Sequence, residues 1–367
     1  MSEKKDYFNQ RYYEAVIREH GYSDVEFSTV DFALENYDVQ SMQRRFLCHH
    51  NGNRFAEAVR SGEKAIVTTG FGMSGNPHLG TISQIIKLCD LNRHGMTTQA
   101  VMGDLDSYNA RNQDLDEARK LSKGFGDYIT AMGYEAGKNG SVLRDQYSHP
   151  EIVHTAYIIS KYITDQDFED AKEDIAPVYE KAGIYNGWSF PMKQALTLMV
   201  ADFVHLHLYE GYNHVMVMLG LEEHKYVQLA SKVVERMGLD LEIAGIYGRI
   251  IKGLSGFPKM SKSLKGSAID VSTPVEEAKR LLLGEKRSTE DPRENGTFLV
   301  MEQVSFLTNS EIEEIEQIYS IGTDSSWQNA VNYYTHTQLE RILENWPHRD
   351  HLLGRNLLRD SFPQAQP

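Results

Sequence analysis

The feature that most constrains this chain is an apolar run that breaks into glycine and then into a helix. Lys64 to Thr69 has the length and β-branched content of a short buried strand, and it leads into the turn GFGMSG, Gly70 to Gly75. Ile82, Ile85, Ile86 and Cys89 then recur at helical spacing, and Arg93, His94 and Gly95 close that helix. The same logic predicts a strand over Thr97–Gly103 and a helix over Leu115–Met132, with Gly133 as its stop. A further strand over His214–Gly220 precedes a helix from about Glu223 to Met237. Strand–helix alternation of this kind implies an α/β fold with a Rossmann-like parallel sheet covered on both faces. Ligands of such sheets sit beyond the carboxyl ends of the strands. From Val275 onward the strand signals fade. Ser310–Ile321 and Asn329–Trp346 read as helices of a helical C-terminal domain, with a frayed tail after about Arg355.

Composition narrows the class. The chain has 367 residues, long enough for two domains, and a formal net charge of −14. No run of 18 apolar residues occurs, so no membrane span is expected, and no apolar stretch follows Lys4 and Lys5 as a secretory signal would require. Cys48 and Cys89 lack Cys-x-x-Cys spacing, which points away from a disulfide framework and a cysteine zinc site and fits a reducing cytoplasm. No metal site is expected: the pair His49–His50 lacks a third ligand at metal-binding spacing and reads as solvated. The acidic balance speaks against a chain coated in nucleic acid, although one face can still be basic.

Two segments carry chemistry. In TTGFGMSGNPHLGT, Thr68 to Thr81, a strand yields to a helix. Gly70, Gly72 and Gly75 permit close backbone approach and positive φ. His78 and Gly80 open the next helix, whose free amides and dipole favour anions. A histidine there can hydrogen-bond a phosphate oxygen, and a glycine two residues on leaves room for a flat adenine. Taken alone, a tight turn with a capping histidine explains the segment as well. The second segment is PKMSKS, Pro258 to Ser263, inside the loop Gly253 to Gly266. Glycine, serine and lysine make this a mobile loop rather than a core element. Lys259 and Lys262 can close over a triphosphate and stabilise charge on departing pyrophosphate. Either motif alone is weak; together, about 180 residues apart in an alternating α/β chain, they are specific.

That pairing resembles the signature of class I aminoacyl-tRNA synthetases, with HLGT standing for the His-Ile-Gly-His motif and KMSKS unaltered. The similarity is strongest to tryptophanyl-tRNA synthetases of the archaeal and eukaryotic type. It runs through Arg44–Gly75, VMGDLDSYNAR (Val101–Arg111), WSFPMKQA (Trp188–Ala195) and His214–Gly238, and is weakest in the C-terminal third. The resemblance implies three regions: an N-terminal extension, 1–60, packed on a catalytic domain, 61–274, followed by a helical domain, 275–367. It implies activation of an amino acid as its adenylate with ATP and Mg²⁺, transfer to tRNA, and a cytoplasmic homodimer. By the same resemblance His78, Lys259, Lys262 and Ser263 are catalytic. Gly70, Gly72, Ser74, Gly80, Thr81, Gly220, Met260 and Ser261 bind the nucleotide. Thr68, Asp106, Gln194, Asp202, Glu222 and Glu223 bind the amino acid, Asp106 and Gln194 at its ammonium.

The departures from the pattern fall on the side-chain pocket. Thr81 replaces the second histidine of the first motif, Thr68 a tyrosine, Val101 a glutamine, and Glu222–Glu223 an Asp-Gln pair. Loss of the tyrosine is expected to leave space, and Glu223 to place a carboxylate where an indole would sit. Free tryptophan is therefore not expected to be the preferred substrate; a basic side chain would satisfy that carboxylate. The segment from Glu294 to Glu340 holds no lysine or arginine, unlike a surface built to grip phosphates. Its aromatics and those beside it (Trp327, Tyr333, Tyr334, Trp346) are expected to be helix-packing core. Three readings stay open here: a synthetase that charges tRNA, a paralogue that passes the same adenylate to another nucleophile, and a nucleotide- or amino-acid-binding regulator.

Overall fold

The protein is described from a computed structural model, over residues 7–25, 38–111, 113–183, 187–254, 257–261, 266–285, 287 and 291–347. It divides into two compact units. The first comprises Met1–Gly75, Lys87–Gly126 and Gly133–Ile250; the second comprises Asn76–Ile86, Asp127–Met132 and Ile251–Pro367.

The first unit is built on a seven-stranded sheet: β1 (Ser23–Asp24), β2 (Cys48–His50), β3 (Ala65–Gly72), β4 (Thr98–Gly103), β5 (Val142–Asp145), β6 (His214–Gly220) and β7 (Glu242–Gly248). Their order is β1-β2-β7-β6-β3-β4-β5. The five strands from β7 to β5 run parallel, and β1 and β2 add an antiparallel edge beside β7. The chain winds one way from β3 through β5 and the other way from β6 to β7. The topological switch point therefore lies between β3 and β6, where an open parallel sheet leaves a crevice for ligands.

The apolar runs behave as their patterns require. Ile66, Val67, Val215, Val217 and Ile243 are buried in the sheet. The helix Leu79–Arg93 buries Ile82, Ile85, Ile86 and Cys89, and also Lys87, Asp90 and Asn92, which its polar letters did not announce. The helix Phe190–Glu210 starts where the Ser189 side chain accepts from the Met192 amide, with Pro191 in its first turn, and stops at Gly211, whose φ of 70° suits glycine. His49 corrects the solvated-pair expectation. It sits on β2 between β1 and β7, is buried, and accepts the Gly52 amide at Nδ1; burial lowers its pKa to about 4.

In the second unit, helices Val275–Leu283, Gly296–Gln303, Asn309–Ile321, Asp324–Tyr334 and Glu340–Glu344 pack together, the last two joined by a π-helical turn, Thr335–Leu339. The expected helix Asn329–Trp346 thus begins earlier and is interrupted. Trp327, Tyr334 and Trp346 are buried, as helix-packing core should be. Tyr333 is exposed and corrects that expectation.

Candidate active site

Both signature segments are anchored to one short strip of chain within the second unit. His78 bridges Asp270 in antiparallel fashion; the Leu79 amide donates to Ile269 O at 2.9 Å and the Val271 amide to Pro77 O at 3.2 Å. The His78 Nδ1 accepts the Thr81 amide at 3.2 Å, so the imidazole folds over the first helical turn. A Cβ on Gly80 would lie 2.9 Å from the His78 ring, which is why this position needs glycine. The same strip holds the lysine loop: the Leu254 amide donates to Ser267 O, and the Ser267 hydroxyl meets the main chain of Ser261. Lys259 and Ser261 are half-buried and Met260 is buried, its amide donating to Ile251 O. The described part of this loop is hydrogen-bonded at its base. Lys262 and Ser263 lie outside the described residues.

In the first unit, at the carboxyl end of β3, Gly70 and Gly72 are exposed while Thr68 and Phe71 are buried. Of the turn glycines only Gly75 takes a positive φ, 152°, and Ser74 beside it is half-buried. The Met73 amide donates to Ser107 Oγ at 2.6 Å, tying the turn to the helix Asp104–Arg111. Asp106 folds back over Gly103, where a Cβ would lie 3.4 Å from its own. Burial raises the Asp106 carboxyl to about 6, against the pull of Arg111.

Beneath Asp106 runs a buried chain of carboxamides and carboxylates. The Asp106 amide donates to Gln146 Oε1 at 3.0 Å, and Gln146 Nε2 donates to Asp202 Oδ2 at 2.9 Å. Gln99 Nε2 donates to the Asp202 carbonyl and to Thr68 Oγ1. Burial, reinforced by Asp106 and Asp104, pushes the Asp202 carboxyl well above the usual range; the Gln146 bond opposes this. Thr68 is thus covered by Gln99 and fully buried, and Val101 is buried too. Both side chains are closed off from solvent. Gln194 lies exposed on the second turn of its helix and takes no part in this network.

At the end of β6, a Cβ on Gly220 would collide with the Glu222 carboxylate. Glu222 is buried in the turn Leu221–Glu223. Lys225 donates to Asp174 Oδ1 at 2.6 Å, and His224 Nδ1 pairs with the Tyr22 hydroxyl at 2.7 Å. Gln99, Gln146 and Ser267 were missed in the sequence. A glutamine inside the apolar strand TQAVMG was the one available signal.

Residues 60–342 match the family model of class I tRNA synthetases (W and Y). The chain belongs to this family. It is 26% identical over 260 residues to the tryptophan–tRNA ligase of Aeropyrum pernix, a match covering 68% of this chain and 65% of the relative. It is 27% identical over 280 residues to the tyrosine–tRNA ligase of Methanopyrus kandleri, covering 76% and 80%. Among solved structures, the tryptophanyl-tRNA synthetase of Aeropyrum pernix superimposes with a TM-score of 0.76 at 20% identity, covering 94% of this chain and 96% of that one. The class I fold is thereby shared. Among the described residues, no helix of this family member is long and apolar enough to cross a membrane.

Proposed function

We propose that this class I synthetase activates an amino acid with ATP and transfers the aminoacyl group to tRNA. The observation that carries the reading is the single strip, Ser267–Val271, to which both the His78 turn and the lysine loop are hydrogen-bonded. The amino acid carboxylate attacks the α-phosphate, an acyl–phosphate bond forms, and pyrophosphate leaves with the bridging oxygen. Such a step needs positioning and donors for developing charge more than covalent help. His78, Lys259 and Lys262 supply those donors, with Gly80 and Thr81 beside the nucleotide. The donor set is cationic and amide-rich, which suits phosphates; Mg²⁺ enters with ATP, held by the phosphates. Pyrophosphate exchange across the twenty amino acids and ornithine, followed by charging of total tRNA, tests the proposal. No exchange with any of them overturns it, and tryptophan leading by tenfold marks the side-chain pocket as unchanged despite Glu223.

Asp106 holds the substrate ammonium in this reading, together with Gln194, which requires its carboxylate form. With the carboxyl raised to about 6, the protonated form dominates below that pH and the ammonium loses its counter-charge. The KM for the amino acid is expected to fall as pH rises from 5 to 7, by about tenfold per unit below the midpoint. Asp106→Asn should abolish the dependence. A profile unchanged in that variant assigns the titration to another group.

A cytoplasmic homodimer belongs to the same proposal. Cys48 and Cys89 are both buried and neither is in a disulfide. The helix Pro150–Ile159 turns Val153, Tyr157 and Ile158 to solvent, Tyr157 at 85% exposure, an apolar face of the kind a second copy covers. Sedimentation should show a dimer that Tyr157→Asp converts to monomer; a monomeric wild type removes this part.

A further inference from the structure

We infer that Ser267 is a positioning residue for the nucleotide motifs, a role that rests on the adenylate-forming reading. Its side chain is fully buried, yet it is polar and bonded twice to one residue. The Ser267 Oγ accepts the Ser261 amide at 3.0 Å and donates to the Ser261 carbonyl at 3.0 Å. One hydroxyl thus acts as a neighbouring strand would, offering both an acceptor and a donor to the same peptide residue. Its own carbonyl accepts the Leu254 amide at 2.8 Å, so Ser267 reaches both legs of the lysine loop. The preceding residue makes this possible. Gly266 has a φ of 81°, a turn that side-chain-bearing residues rarely adopt. The first leg is packed as closely: a Cβ on Gly253 would lie 2.6 Å from Lys259 O.

Two and three residues on, Ile269 and Asp270 hold Leu79 and His78. The strip therefore grips the lysine loop at one end and the histidine turn at the other. Ser261 directly precedes Lys262 in the chain. Fixing the Ser261 peptide fixes where the lysine segment begins relative to His78, and misplacement of about 1 Å is enough to lower a rate severalfold to a hundredfold.

The test uses the full chain, with Ser267→Ala and Ser267→Thr. Without substrates, amide hydrogen exchange at Met260 and Ser261 should quicken about tenfold in the alanine variant, the scale of losing a buried hydrogen-bond partner. In pyrophosphate exchange kcat should fall about tenfold while the KM for the amino acid stays within about twofold, since Asp106 belongs to the other unit. The threonine variant, which keeps the hydroxyl, should recover most of both. Unchanged amide exchange in Ser267→Ala overturns the inference, as does faster exchange with wild-type kcat. A wild-type protein that exchanges pyrophosphate with no amino acid overturns the proposed function instead, and the amide measurement then still decides whether Ser267 holds the loop.

Discussion

Alanine at both His78 and Lys262 is expected to slow adenylate formation by about 10²-fold or more, the scale of removing one preorganised contact to transition-state charge. His78 is fixed from three sides: its main chain bridges Asp270, its ring accepts the Thr81 amide, and Gly80 leaves room beneath the ring. A side chain held this way meets a phosphate oxygen without reorganisation during reaction. The next helix begins at this point, and the positive end of its dipole acts in the same direction. Single substitutions should each lower kcat for pyrophosphate exchange more than they raise the KM for ATP, because the contacts strengthen as charge moves onto the leaving group. Pyrophosphate exchange at saturating amino acid is the measurement. A double variant that exchanges at the wild-type rate would remove both residues from the site.

The second large effect is on stability. Arg45 is 1% exposed and clamps Asp90 through Nε at 3.0 Å and a terminal nitrogen at 2.9 Å, while Arg93 approaches the other Asp90 oxygen at 3.3 Å. Both Arg45 and Asp90 are buried. Asp90→Asn should therefore cost about 3–5 kcal/mol, the range for breaking a buried ion pair by removing one partner. Replacing both partners by apolar residues, Arg45→Met with Asp90→Leu, should cost less than the single change, because no charge then stays buried. Urea unfolding of the two variants beside wild type reads the difference. An Asp90→Asn midpoint indistinguishable from wild type would show that Arg45 finds another acceptor.

These residues illustrate what the sequence could and could not reveal. The strands β3, β4 and β6 and the helix between β3 and β4 were legible because burial on both faces selects continuous apolar runs and helical spacing. The strand β7 carries Gly245 and Gly248 and went unread. A Cβ at Gly245 would strike the Tyr247 ring, so packing, not strand propensity, chose that glycine. β2 is three residues long, and its histidines looked like surface letters until β1 and β7 closed around them. In the site, His78 and the lysine motif were legible as local patterns. The chain from Asp106 through Gln146 and Asp202 to Gln99 and Thr68 was not, since it joins β3, β4, the end of β5 and a long helix across up to 103 residues of sequence. No local rule reports which distant polar groups will meet. For the same reason Thr68 looked like an opened pocket and proved to be a covered hydroxyl.

The edge strand β2 has a consequence for how the chain can be cut. Its three residues pair with Tyr247, Ile246 and Gly245 and so occupy the hydrogen-bonding side of β7 that β6 leaves open. A shortened protein that began after Ser61 would uncover a row of unpaired amides and carbonyls on a strand whose Ile243, Ala244, Ile246 and Tyr247 are all buried. Such a row recruits strands from other molecules. The first sixty residues therefore act as a built-in guard against self-association into sheets, and trimming them for expression would trade solubility for brevity.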